Sequence, residues 1–549
     1  MGRKHSSREF EPFKMQIEDP LANLDIESLL VKKLGQFGRY QRLVFLLICL
    51  PVPVTAALTM DTIFTEYSPP SRCFLPGCDD DLSPRYENFS DFSDYNLTGD
   101  DECWNIPQLN STDCLTADLS QLEAQGCERR VFSDSVMKDS VVTEFSLVCD
   151  DEWLLTICKS SFFSGTLVGS LLLGHLADII GRKMTFLISL LEIIIFALLS
   201  AFSSGFIMYV TVQFFTAMGI AGMFQTSFLL VVELVGPGSR TLCGTLIQGF
   251  YIVGELYVVL VAWYFRDWRT VKLVCALPAI VFISYYYFLP ESVRWLLIKK
   301  KYSKAEAGIK MIAAGNKVDM PSREEIAQYK KQEEDASDVT ETFVSLLRRR
   351  RMLTRLLKLF PAWVTIQMIY FDLSLNPAKM TGNYYSNTGL MFLCDVPGFT
   401  ASYFGMKLLG RRLTLQVSLL LGGISSLIAR LIANTNQELS LGFFLLGKFG
   451  ATAAFGTTYL YTSELFPTQV RGLCFGLCDM IGALGVFSIP YIARLGERYE
   501  LDWLPEAVFA GTSLLSFLAT LLLSKTRSSN SNSFFYFSSS RLKKDSRNL

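Results

Sequence analysis

Runs of roughly 18 or more apolar residues recur along this chain, near 43–63, 154–173, 184–204, 206–232, 242–265, 271–289, 358–377, 386–406, 413–434, 439–462, 472–494 and 503–524. Each is long enough to cross a bilayer as a helix, so the pattern predicts an all-α membrane protein with about twelve spans. The first 40 residues are polar and charged, so the first run reads as a span and not as a cleaved signal. Two signatures occur twice between these runs. Gly174-His175-Leu176-Ala177-Asp178-Ile179-Ile180-Gly181-Arg182-Lys183 is followed by Glu233 and by Arg240. Leu408-Leu409-Gly410-Arg411-Arg412 is followed by Glu464 and by Arg471, about 230 residues after the first copy. A repeat of this kind predicts two six-helix bundles, 43–289 and 358–525, with a substrate site between them.

Composition supports the membrane reading: 50% hydrophobic, 13% aromatic and only 19% charged residues, with mean hydropathy +0.30. The net charge of −1 argues against nucleic acid or an acidic partner. The two histidines, His5 and His175, leave little for a His-based metal or catalytic site. No metal-ligand cluster, P-loop or nucleophile elbow is present, so the expectation is neither an enzyme nor a cofactor protein.

The Lys/Arg bias predicts orientation. Lys32, Lys33, Arg39 and Arg42 in the tail 1–42, Arg182 with Lys183, Arg240, the linker 290–357, Arg411 with Arg412, Arg471 and the tail 526–549 would face the cytoplasm. Arg266, Arg269 and Lys272 dilute the bias on the other side. The expected setting is the plasma membrane, multi-pass, with both termini inside.

Two inserts stand out. Residues 64–153 hold six of the thirteen cysteines, Cys73, Cys78, Cys103, Cys114, Cys127 and Cys149, and the three sequons at Asn88, Asn96 and Asn110. That combination predicts a disulfide-stapled, glycosylated extracellular loop. Six cysteines allow 15 pairings, among which the sequence does not choose. The same loop is a candidate homo-oligomer contact. The linker carries Lys299-Lys300-Lys301 and Arg348-Arg349-Arg350-Arg351, with 335–344 readable as a linker entering an amphipathic helix. The Arg run reads as a topological anchor facing membrane lipid rather than as a specific lipid site.

Charges at span ends and inside spans are the functional candidates. Asp178, Arg182, Glu233 and Arg240, with Arg411, Glu464 and Arg471, are placed to pair when one gate closes and to separate when it opens. Inside the spans lie Glu192, Glu255, Asp372, Asp395, Asp479, Lys159, Arg430 and Lys448.

Several motifs together resemble the organic ion transporter family of the major facilitator superfamily. They are the loop Gly174 to Lys183, Leu289-Pro290-Glu291-Ser292-Val293-Arg294-Trp295-Leu296, Thr143 to Cys149 before the second span, and Ser463-Glu464-Leu465-Phe466-Pro467-Thr468 with Arg471. The large Cys-rich loop separates this pattern from that of sugar porters. Lys407 stands where the second loop usually has an acid, and Ser524-Lys525-Thr526 replaces a Pro-Glu-Thr. The first latch is therefore expected to be the stronger one.

The resemblance implies a pocket. It places Asp395 where cation carriers have a glutamate, and Trp363 and Tyr370 as aromatic lining, with bundle packing as the other reading. Phe224 and Gln248 fall at pocket-facing positions, although Phe224 also suits plain core. At the span-eleven position whose charge separates cation from anion carriers, this chain has Ala483. Asp479, four residues earlier, either substitutes one turn away or pairs with Lys448. Glu255 and Asp372 occupy places that are usually uncharged, where they make the pocket more acidic or serve proton coupling. The expected function is polyspecific, potential-driven transport of small organic cations or zwitterions by alternating access. An organic anion or carnitine exchanger and a non-transporting receptor built on loop 64–153 are the alternatives.

Overall fold

The computed structural model describes residues 34–74, 104–105, 125–126, 129–319, 350–377, 382–466, 470–501 and 503–523. Among these residues, eleven helices are long and apolar enough to cross a membrane: Arg39–Thr65, Cys149–Ile180, Arg182–Ala201, Phe206–Leu234, Pro237–Phe265, Trp268–Phe288, Met352–Leu375, Arg411–Ile432, Gln437–Leu465, Arg471–Gly496 and Leu504–Leu521. The remaining traverse is the pair Tyr384–Leu393 and Asp395–Leu408. Pro397 offers no N–H to the Leu393 carbonyl, and the helix passes through a turn at Cys394 before it resumes. The chain is an all-α membrane protein, and these twelve traverses are spans 1 to 12 in chain order. Pro51 and Pro53 divide span 1 in the same way, into Arg39–Cys49 and Val52–Met60.

The twofold signature in the sequence is a structural repeat. Gly181 and Gly410 both have positive φ, +117° and +84°, and each opens the next span. A side chain is disfavoured in that backbone region. The hydroxyls of Thr185 and Thr414 donate to the Gly181 and Gly410 carbonyls, each at 2.9 Å. Arg182 and Arg411 reach back in the same manner to the carbonyls of Ala177 and Met406.

The bundles meet along two seams. Span 2 packs on span 11, and span 5 packs on span 8. At the first seam an added Cβ on Gly472 or Gly476 would collide with the carbonyls of Gly174 or Ser170. After span 6, helices Val293–Ile298 and Tyr302–Asn316 fold back against the start of span 1. Asn316 holds them there through the Tyr40 N–H at 2.9 Å, the Leu34 carbonyl at 2.7 Å and Gln41 at 2.7 Å. The stretch 335–344 lies outside the described residues.

In the long insert, Ser71–Cys73 pairs antiparallel with Arg130–Phe132. Cys149 is disulfide-bonded, whereas Cys49, Cys158, Cys243, Cys275, Cys394 and Cys478, all within spans, are free thiols. Cys78, Cys103, Cys114, Cys127, Asn88, Asn96 and Asn110 lie outside the described residues.

Candidate substrate cavity and charge cluster

Between the bundles lies a cavity whose lining is aromatic and acidic. Nine of its seventeen lining residues are aromatic, including Phe224, Tyr251, Tyr370 and Tyr459. Among the described residues, Asp479 supplies its one charge, and neither lysine nor arginine lines it. The Asp479 carboxylate is held from three sides: by Ser170 of span 2, by Gln367 Nε2 at 2.6 Å from span 7, and by the Tyr459 hydroxyl at 3.3 Å from span 10. Gln248 and Gln225 donate their amide N–H groups to the Gly244 and Gly472 carbonyls, at 2.8 and 2.9 Å. Their oxygens are thereby fixed as acceptors, and both are buried without a hydrogen-bond partner among the described residues. Acceptors, rings and one carboxylate suit a ligand that is positive and donates hydrogen bonds.

Three residues expected in this pocket are elsewhere. Asp395 is fully buried behind the wall, with Lys448 at 3.1 Å, Thr452 donating at 2.5 Å and Tyr370 at 3.0 Å. Lys448 therefore pairs with Asp395 and not with Asp479, because spans 8 and 10 pack closely and bring the two onto one seam. Its ammonium also donates to Ser374 and lies 3.6 Å from the Tyr370 ring centre. Trp363 packs under the cavity against Tyr459 and Phe475, its indole N–H donating to Thr462 at 3.1 Å. Tyr370, Phe224, Gln248 and Asp479 do line the cavity. Glu255 stands behind Tyr370, whose hydroxyl is 2.9 Å away, and Asp372 accepts from Asn376, just past the end of its helix. Glu192, Lys159 and Arg430 do not line the cavity.

Ser170, Gln367 and Tyr459 carry no charge that would mark them in the sequence. A second buried ion pair, Lys272 with Asp61 at 2.7 Å, links spans 6 and 1. Its two residues stand at the edges of predicted runs, where Lys272 reads as an outer-loop charge.

At the Gly181 end a charge cluster joins the bundles. Glu233 receives Arg182 at 3.1 Å, Ser292 at 2.5 Å and, from the other bundle, Arg471 at 3.7 Å. Asp178 pairs with Arg182 at 3.0 Å and accepts the Leu473 N–H of span 11 at 2.8 Å. The motif after span 6 completes the cluster: Arg294 donates to the Glu233 carbonyl, Trp295 to the Asp178 carbonyl, and Glu291 accepts the N–H groups of Arg182 and Lys183. Burial pushes the Glu291 carboxyl up, opposed by the N–H groups of Ser292 and Lys183 and by the Arg182 guanidinium. The second repeat is simpler. Arg411 grips Glu464 with two bonds of 3.0 and 2.9 Å and reaches Thr241 of the first bundle at 3.0 Å. Lys407 takes no part in it and lies over the Tyr403 ring. Arg471 thus crosses from the second repeat to Glu233 of the first.

At the opposite end Tyr384 donates to the Ile63 carbonyl at 3.0 Å, Tyr385 binds the Val136 carbonyl, and the Tyr385 ring stacks on Phe64 at 5.4 Å. Contacts bridge the bundles at both ends. The cavity between them measures about 70 Å³, well below the roughly 300–1,000 Å³ of sites that enclose a small organic molecule. The cavity is contracted in this conformation.

Comparison with known proteins fits this architecture. Residues 113–526 match the family model of the sugar (and other) transporters. The organic cation transporter protein of Drosophila melanogaster is 32% identical, over 90% of this chain and 91% of its own length. Organic cation/carnitine transporter 2 of Homo sapiens is 30% identical, over 89% and 90%. Among solved structures, the major facilitator proton:xylose symporter XylE superposes with a TM-score of 0.61 at 18% identity, covering 71% of this chain and 91% of that one. The human organic anion transporter MFSD10 gives 0.52 at 16%, covering 69% and 87%. The chain is a multi-pass membrane transporter of the sugar (and other) transporter family, and within the major facilitator superfamily it belongs to the organic ion carriers.

Proposed function

We propose that this chain carries small organic cations, or zwitterions presented by their cationic end, across the plasma membrane by alternating access, with both termini cytoplasmic. The observation that carries this is the cavity lining: one carboxylate, nine rings, two free amide oxygens and no base among the described residues. A ring face contributes about 0.5–2 kcal/mol to a bound cation, more where water is excluded. An organic anion would face Asp479 with no countercharge. Lys448, the buried base nearest the cavity wall, is already engaged by Asp395 and not available to an anion. The substrate would sit between Asp479 and the rings of Phe224, Tyr370 and Tyr459. The Arg182–Glu233–Arg471 and Arg411–Glu464 groups would act as the cytoplasmic gate, and the Tyr384 and Tyr385 contacts as the outer one.

The test is uptake of labelled organic cations, anions and carnitine into cells expressing the chain. Cation uptake above that of untransfected cells, with anion uptake at background, is the expected result. Anion uptake exceeding cation uptake would overturn the reading.

A further inference from the structure

We propose that Glu255 and Asp395 form a carboxyl pair that carries one proton, and that this proton is exchanged for the organic cation during transport. The inference rests on cation transport by this chain, and it replaces the expectation of potential-driven uniport with electroneutral exchange.

The Tyr370 hydroxyl lies 2.9 Å from a Glu255 oxygen and 3.0 Å from an Asp395 oxygen. A phenol has one proton and donates it once. The second short oxygen–oxygen distance is a hydrogen bond only if one carboxyl brings a proton of its own. Asp395 is the anionic member, because it already accepts from Thr452 and faces the Lys448 ammonium at 3.1 Å. Glu255 has no ion-pair partner among the described residues, and it is hydrogen-bonded to Asp395 itself, a contact that also needs a proton on one of the two carboxyls. The proton therefore sits on Glu255, which donates to Tyr370, which donates to Asp395. Charge balance gives the same answer. Glu255, Asp395 and Lys448 are each 0% exposed, and two carboxylates with one ammonium leave an uncompensated charge unless one proton is added. The other titratable groups facing Glu255 are Tyr370 and, one turn back on its own helix, Tyr251, which bonds Thr59 of span 1.

The position of the pair makes it a coupling device. Glu255 belongs to span 5 of the first bundle, whereas Tyr370, Asp395 and Lys448 belong to spans 7, 8 and 10 of the second. Tyr370 also lines the cavity, so it separates the pair from the substrate space by one ring. When the bundles part along the span 5 and span 8 seam, Glu255 loses Tyr370 and meets water. The Glu255 O–H bond then breaks, its electron pair stays on the carboxylate, and the proton passes to water. The anionic carboxylate stabilises the arriving cation. When the cation leaves on the other side, a proton from water returns to Glu255 and the pair closes again. One proton moves against one monovalent cation.

The experiment uses the purified full chain in liposomes with a pH dye inside and labelled tetraethylammonium outside. That quaternary cation cannot itself carry a proton. Uptake should alkalinise the lumen, and an interior one pH unit more acidic should drive about tenfold accumulation at zero membrane potential. Glu255→Gln keeps a donor toward Tyr370 without a titratable proton. It also lacks the anionic carboxylate, so tetraethylammonium should enter more slowly than in the wild type, with no lumenal pH change and with accumulation now set by membrane potential. Wild-type uptake without alkalinisation, or a Glu255→Gln variant that moves protons as the wild type does, would overturn the exchange and leave cation transport standing. No wild-type uptake at all would instead overturn the cation reading, and the exchange with it.

Discussion

Asp479 and Asp395 are both buried carboxylates inside spans, yet the structure gives them opposite tasks. Asp479 faces the cavity and is held only by neutral donors, so its charge is available to a ligand. Asp479→Asn keeps a side chain that Gln367 and Ser170 can still bond, and it removes the countercharge. Losing a charged hydrogen-bond partner costs a bound cation about 1.5–3 kcal/mol, which corresponds to roughly 10- to 100-fold lower uptake at low substrate. Surface abundance should stay near that of the wild type, as surface biotinylation alongside uptake would show; equal loss of both would mean a folding role. Asp395→Asn should behave differently, because it strands the Lys448 ammonium in a dry site. Breaking a buried pair from one side costs about 3–5 kcal/mol, so the main loss should be of folded protein at the surface. Asp395→Asn combined with Lys448→Gln should recover much of that abundance, and failure to recover would mean that the pair is not the reason for the loss. Both carboxylates were visible in the sequence as charges within apolar runs. That Lys448 occupies Asp395 was not, because the pairing depends on how spans 8 and 10 rotate against each other.

Helices were the most legible part, since an uncharged run of 18 apolar residues is long enough to cross a bilayer and too apolar for a solvated surface. The departures trace to proline: Pro397 breaks span 8, and Pro51 and Pro53 break span 1, where a hydropathy pattern shows only an apolar run. How close two spans approach was not legible as such, although Gly472 and Gly476 are four apart and so share one helix face, the spacing that lets backbones meet in a membrane. Span 11 uses both against span 2. The Gly476 position has no room for a Cβ beside the Ser170 carbonyl, and Ser170 is itself a donor to Asp479. Gly476→Ile should therefore hold this seam apart while leaving the individual helices intact. Uptake should fall to near background while surface abundance stays close to that of the wild type. Normal uptake at normal abundance would show that the seam does not need to close.

At the Gly181 end the bundles are joined by the Leu473 N–H on Asp178, by Arg411 on Thr241 and by Arg471 on Glu233, and the order of Glu233's partners predicts how the molecule moves. The repeat showed in sequence that an acid and two bases recur in each half. It did not show that Arg471 crosses to the first bundle, since within its own repeat it stands seven residues after Glu464. Arg182 and Ser292 hold Glu233 from within the first bundle, so they maintain that bundle whichever way the transporter faces. Arg471, at 3.7 Å, comes from the second bundle and is the partner lost when this end opens. Arg471→Ala should therefore leave the fold in place, because Glu233 keeps Arg182, while it weakens only the closed state. Each 1.4 kcal/mol removed from one of two balanced conformations shifts their ratio about tenfold. With Thr166→Cys as a reporter on the cavity wall, Arg471→Ala should raise thiol labelling from the Gly181 side and lower it from the Tyr384 side by comparable factors. Arg471→Lys, which keeps the charge without the guanidinium fork, should fall between. Arg182→Ala should instead reduce the amount of folded protein, because it removes the buried partner of both Asp178 and Glu233 at once. If Arg471→Ala left labelling from both sides unchanged, the cluster would be a structural tie within each bundle and the gate would have to lie elsewhere.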